Sequence, residues 1–244
     1  MKYAIKTKKL SKRFMGVSAV DNLSINIPAG LATGLIGPNG SGKTTLMNLL
    51  TGLLRPDDGD IYIGEQHFYK IKPTRLRGLK IARTFQDGRL IEQLSVEDNL
   101  LLPVAETNEW RALFDLGNKK YKKRLDEVLK IVRLEEHRQK NAEDLSYGLR
   151  KLLEIGRVLM QDADIFFFDE PFTGLFPEIV EQVCAIMEDL KKQGKTLVII
   201  EHNMGLIEKL CDYTIVLDYG KLLAQGTPQE VLENKKVQEA YLGK

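Results

Sequence analysis

Eight consecutive residues constrain the fold of this chain more than any other stretch. Gly37-Pro38-Asn39-Gly40-Ser41-Gly42-Lys43-Thr44 follows the spacing GxxxxGK[ST], directly after the apolar run Ala32 to Ile36 and directly before a helical stripe that begins near Lys43. Glycines at 37, 40 and 42 let the backbone curl until successive N–H groups point inward, and the helix N-terminus that follows adds partial positive charge. Strand, anion-cradling loop and helix in that order call for a sheet packed with helices. Lys43 is placed to neutralise β- and γ-phosphates. The Thr44 hydroxyl, with Thr45 next to it, suits Mg²⁺, a hard cation that prefers oxygen ligands and keeps several waters. The competing reading is a glycine-rich turn that binds nothing, and the placement between strand and helix argues against it.

The rest of the pattern alternates short β-branched or aromatic runs with longer helical stripes. Candidate strands at Ile5 to Leu10, Leu23 to Ile27 and Ile61 to Ile63, the last after the turn Pro56-Asp57-Asp58-Gly59, make an early β-rich stretch. From about Ser95 to Met160 the pattern is mainly helical: Ser95 caps a helix through Leu102, and Leu125, Val128, Leu129 and Val132 form a later stripe. Strand rhythm returns at Ile165 to Phe168, Leu197 to Ile200 and Thr214 to Leu217, with a helix over Glu178 to Lys192. Continuous apolar runs of this kind suit parallel strands covered on both faces. The expected class is α/β.

A chain of 244 residues buries a sizeable core. Lys and Arg total 36 against 34 Asp and Glu, so a net charge of +2 gives no global pull towards nucleic acid or anionic lipid. The start, Met1 to Lys6, turns polar before an apolar signal core forms, and no run approaches the roughly 18 apolar residues that span a bilayer. Membrane association is therefore expected through a partner. Cys184 and Cys211 are too few and too far apart for a disulfide framework or a metal knuckle, and read as buried small hydrophobes. The basic run Lys119 to Arg124 reads as a solvated helix face.

A second piece of chemistry follows the run Ile165 to Phe168. Asp169 and Glu170 stand at the C-terminal end of a buried strand, where α/β sheets present ligand sites. Asp169 is the expected metal-organising carboxylate, and Glu170 the group that orients and deprotonates an attacking water. An acidic turn after a core strand is the plainer alternative.

Between these two elements lies Leu145-Ser146-Tyr147-Gly148-Leu149-Arg150-Lys151, just ahead of a helical stripe. It resembles the ABC signature, usually written LSGGQ, and the chain is similar to the ATP-binding subunits of ABC transporters across almost its whole length. The resemblance implies a P-loop NTPase core of mainly parallel sheet with an N-terminal antiparallel β subdomain, over residues 1–86 and 161–244, and a helical lobe inserted at 87–160. It implies that Ser146, Tyr147 and Gly148 close on ATP held by a second ABC ATPase subunit. It also implies that Gln86 reaches the metal and the attacking water, that His202 touches the γ-phosphate, and that Phe14, with Val20 beside it, stacks on adenine. Thr44, Gln86 and Asp169 are then the Mg²⁺ ligands, and Gly37 to Thr45 the ATP cradle.

Tyr147 and Leu149 depart from LSGGQ, and Phe176 stands in the D-loop near the position of a usual aspartate. These departures, with Gly220 to Pro228, Val231 and Ala240 to Gly243, resemble the branched-chain amino-acid uptake ATPases. The resemblance implies integral membrane permease subunits as partners, an extracytoplasmic solute-binding protein acting indirectly, and a peripheral position on the cytoplasmic face of the cell membrane. Urea uptake and lipopolysaccharide export ATPases share much of this pattern. A soluble non-transport ABC ATPase normally carries tandem cassettes or a long coiled-coil insertion, and this chain has one phosphate loop and no such insertion.

Overall fold

The computed structural model describes residues 2–84, 90–104 and 119–242. The chain opens with strands β1 (Tyr3–Phe14), β2 (Val17–Leu23), β3 (Asn26–Pro28) and β4 (Ala32–Ile36), helix α1 (Lys43–Leu50), and strands β5 (Asp58–Ile63), β6 (Gln66–Phe68) and β7 (Ile81–Arg83). Helices α2 (Val96–Leu101), α3 (Lys119–Ile131) and α4 (Tyr147–Leu159) follow. Then come β8 (Ile165–Asp169), α5 (Pro177–Lys192), β9 (Thr196–Ile200), α6 (Met204–Leu210), β10 (Tyr213–Asp218), β11 (Lys221–Gly226), α7 (Pro228–Leu232) and α8 (Lys235–Leu242). Two compact units result: residues 1–83, 164–170 and 187–244 in the first, and 84–163 and 171–186 in the second.

Among the described residues the first unit holds two sheets. One is antiparallel, in the order β2-β1-β5-β6 with β3 also on β1. The other has the order β11-β10-β4-β9-β8-β7, parallel from β10 to β7 with β11 antiparallel at its edge. Every residue of β4, β8 and β9 is buried, as continuous apolar runs require when both sheet faces are covered. Leu46, Met47, Leu49 and Leu50 of α1 join one apolar cluster with Ile5, Leu23 and Ile61 of the antiparallel sheet and Leu35, Phe167 and Val198 of the parallel one. The helix that carries the end of the glycine loop is therefore anchored by apolar burial on its core face.

Two strand expectations shift. The run Leu23 to Ile27 is split between β2 and β3, because the buried Thr7 hydroxyl donates to Leu23 O (2.9 Å) and accepts from Ile25 N (3.1 Å) where the chain passes from one to the other. Strand β5 starts at Asp58, inside the expected turn, because Gly59 (φ 89°) lets the backbone meet β1 at a bulge; a Cβ there would lie 2.6 Å from Leu10 Cα.

Among the described residues the second unit is helical. Ser95 caps α2 by accepting from Asp98 N at 3.0 Å, and Leu125, Val128, Leu129 and Val132 are buried as the stripe requires. In α4 Gly156 marks a close approach: a Cβ there would meet Leu100 Cδ2 at 2.8 Å and Val128 and Val132 at 3.5 Å. Lys122, Lys123 and Arg124 of the basic run are exposed. Both cysteines are buried, and among the described residues no helix is long and apolar enough to cross a membrane.

Candidate nucleotide site

The loop between β4 and α1 depends on backbone crowding. Gly37 (φ 148°) and Gly42 (φ 100°) adopt a conformation open to glycine, and a Cβ would lie 2.1 Å from Leu217 O at the first and 2.2 Å from Ala19 O at the second. Gly40 (φ 79°) has open space around it. Asn39 and Gly40 are exposed at the tip, Pro38 is half-buried and Ser41 is buried. Lys43 crosses the loop from α1, its Nζ donating to Gly37 O (2.8 Å) and Pro38 O (2.9 Å). Burial pulls its ammonium below the ordinary lysine range, and the negative charges of Glu170 and Asp169 oppose that pull. Thr44 is exposed and Thr45 half-buried on the first turn of α1. A cavity of about 470 Å³ opens beside the loop, between Pro38, Asn39, Gly40 and Ser41 and the α8 residues Lys236, Glu239 and Ala240. Near it Tyr241 also reaches the loop: burial pushes its hydroxyl to about 12, with the Gly37 backbone N–H pulling the other way.

The two acids stand at the end of β8. Asp169 is buried (1 % exposed) and Glu170, in a left-handed conformation (φ 48°), is tied by its N–H to Ile200 O at 3.1 Å. That turn brings Glu170 Oε1 within 2.9 Å of His202 Nε2, just past the end of β9. Glu201, itself buried, accepts from the backbone N–H groups of His202 (2.8 Å) and Asn203 (3.1 Å), so the turn that carries the imidazole is fixed. A carboxylate held by an imidazole, next to a cationic anion-cradling loop, has the parts for activating a water against a phosphate.

In the second unit Ser146 caps α4 by accepting from Leu149 N at 3.4 Å. Tyr147, half exposed, donates from its hydroxyl to Thr173 O at 3.1 Å, and its ring lies 3.2 Å from where a Cβ on Gly174 (φ 72°) would stand. Gly148 packs on Ile179, which would meet a Cβ at 3.2 Å. The serine-tyrosine-glycine turn and the Phe172 to Phe176 loop are thus one packed piece, and Phe176 is exposed.

The first unit brings together the Gly37 to Thr45 loop, Asp169, Glu170 and His202. Phe14 ends β1, 43 % exposed, with Lys12 Nζ 5.5 Å from its ring centroid, and β2 runs from that hairpin to the Ala19 carbonyl over Gly42. Val20 is fully buried in the core cluster, so its side chain packs inward. Gln86 lies outside the described residues. Sequence reasoning missed Arg83, whose guanidinium reaches Asp169, Asn48 and Thr51, and also Glu201 and Tyr241. For Arg83 a signal existed: a charged residue in an apolar strand run implies a buried counter-charge.

The chain is similar to known proteins over its whole length. The family model described as ABC transporter matches residues 20–173, and one described as branched-chain amino acid ATP-binding cassette transporter matches residues 221–244. The probable branched-chain amino acid transport ATP-binding protein LivG of Archaeoglobus fulgidus is 32% identical, over 98% of this chain and 95% of its own length. Among solved structures, a nucleotide-free ATP-binding cassette from an ABC transporter superposes with a TM-score of 0.89 at 31% identity, covering 100% of both chains. A dimeric post-hydrolysis cassette bound to ADP and Pi superposes with a TM-score of 0.78 at 27% identity, over 92% of this chain and 98% of that one. Cradle, acid pair and full-length likeness agree: the chain belongs to the ABC transporter family, as an ATP-binding cassette.

Proposed function

We propose that this chain binds and hydrolyses ATP as the motor subunit of a membrane transporter that imports branched-chain or related amino acids. It works on the cytoplasmic face of the membrane, paired with a second ATPase subunit and docked on integral permease subunits, with a solute-binding protein acting outside. The observation that carries the ATPase reading is the 2.9 Å contact of Glu170 Oε1 with His202 Nε2 in the unit that holds the Lys43 cradle. The amino-acid cargo is supported by the names of full-length relatives and by the family match at residues 221–244.

The donor set fits Mg²⁺: the exposed Thr44 hydroxyl and the buried Asp169 carboxylate are hard oxygen groups that would hold the ion, together with Gln86. When bound, the ion neutralises charge across the β- and γ-phosphates. Phe14 offers its exposed ring to adenine. The backbone N–H groups of the loop hold the phosphates, and Lys43 exchanges the Gly37 and Pro38 carbonyls for phosphate oxygens. Glu170 takes the proton of a water whose oxygen attacks the γ-phosphorus as the bond to the β-phosphate oxygen breaks, giving ADP and phosphate. His202 holds Glu170 in line, and Ser146 to Gly148 of the second subunit close over the γ-phosphate.

Replacing Glu170→Gln keeps the size and removes the base. ATP affinity is expected to stay within about threefold of wild type while turnover falls by about 10²–10⁴-fold. A radiolabelled phosphate-release assay with parallel ATP titration measures both, and wild-type turnover by the variant removes Glu170 from this role.

A further inference from the structure

Arg83 is the last residue of β7, in register with Phe167 of β8, and its side chain is 5 % exposed. Nη2 donates to Asp169 Oδ2 at 3.0 Å, across a sequence separation of 86 residues. Nη1 donates to Asn48 Oδ1 at 2.6 Å and to Thr51 Oγ1 at 2.8 Å. Asn48 lies on α1 and Thr51 at its C-terminal cap, and that helix starts with Lys43 and Thr44. One planar fork therefore joins the end of the loop helix to the end of β8. It also sits three positions ahead of Gln86 in the chain.

We propose that Arg83 is a positioning residue for the divalent cation: it sets the distance and orientation between the Thr44 hydroxyl and the Asp169 carboxylate, so that both meet one ion. The inference rests on the reading of these two residues as metal ligands given above. The chemistry favours a guanidinium here. A buried carboxylate needs a counter-charge before any metal arrives, and a rigid fork that is always protonated supplies it without leaving its other two acceptors. By engaging one carboxylate oxygen it restrains the rotation of the group, which is how hydrogen bonds from outside a metal's ligand shell tune affinity. A lysine keeps the charge but cannot hold Asp169, Asn48 and Thr51 in one plane.

The test is an equilibrium titration without turnover. A fluorescent ADP analogue is bound to the protein at rising Mg²⁺ concentration, and again in EDTA, for wild type, R83M and R83K. The expected result is a Mg²⁺ midpoint about 10–100-fold higher for R83M, with a smaller rise for R83K, while nucleotide affinity in EDTA stays near wild type. A wild-type midpoint in folded R83M, checked by circular dichroism, overturns the proposal. So does an equal loss of affinity with and without Mg²⁺, which marks a purely structural role. If R83M does not fold, R83K carries the same test, and an unchanged midpoint there is equally fatal. Wild-type protein whose binding ignores Mg²⁺ points instead to failure of the underlying metal-site reading.

Discussion

At residue scale the glycines of the cradle have different jobs, and the difference can be measured. At Gly42 an added Cβ lies 2.2 Å from the Ala19 carbonyl oxygen, a backbone atom that cannot swing aside, whereas at Gly40 nothing lies within 4 Å. Gly40→Ala is therefore expected to cost only the left-handed strain of a non-glycine residue, about 1–2 kcal/mol. Gly42→Ala must also displace β2 from the loop, so its loss of thermal stability is expected to be clearly larger and ADP binding is expected to vanish. Calorimetric unfolding with an ADP titration checks both, and equal effects at the two sites contradict the crowding argument. The glycine spacing was legible in the sequence because it is local. Arg83 was not assigned, since its partners stand 32, 35 and 86 residues away and only the folded sheet brings them within reach. Asn99 is a similar case: a fully buried side chain whose amide bonds to the carbonyls of Ile91, Leu94 and Ser95 and whose carbonyl accepts from Ile91 N, visible in sequence only as a polar residue inside an otherwise apolar stripe.

At the scale of elements, the parallel strands were the most legible part. Their apolar runs are short, continuous and bounded by charged or turn residues, and β8, β9 and β10 fall where the pattern puts them. The antiparallel sheet was less so, because Lys9 (φ 46°) and the bulges of β1 interrupt a two-residue period that would otherwise mark one long strand. Helix α4 carries the clearest energetic test. Alanine in a helix interior is better than glycine by about 1 kcal/mol in an open site. At Gly156, however, the methyl would stand 2.8 Å from Cδ2 of Leu100, a side chain that is itself fully buried. Overpacking of that kind costs about 1–3 kcal/mol, so the clash outweighs the propensity. Gly156→Ala is expected to lower the unfolding midpoint, and a raised midpoint shows that the helices slide apart at no cost.

For the whole molecule, the two buried cysteines fall one in each compact unit, Cys184 in the second and Cys211 in the first. Residues 171–186 group with the helical unit through contacts such as Tyr147 with Gly174 and Gly148 with Ile179, which no local sequence pattern announces. Burial, and next the charge of Asp212, push the Cys211 thiol up to about 12, so its thiolate share at pH 8 is on the order of 10⁻⁴. Both thiols are buried as well, so labelling of either by iodoacetamide must wait for its unit to open. Each 1.4 kcal/mol of local destabilisation raises the open population about tenfold. If the units open independently, Gly156→Ala is expected to speed labelling of Cys184 by about tenfold and leave Cys211 at the wild-type rate, as read by peptide mass spectrometry over time. Equal acceleration at both cysteines requires a single cooperative opening, and the helical unit then has no stability of its own to tune.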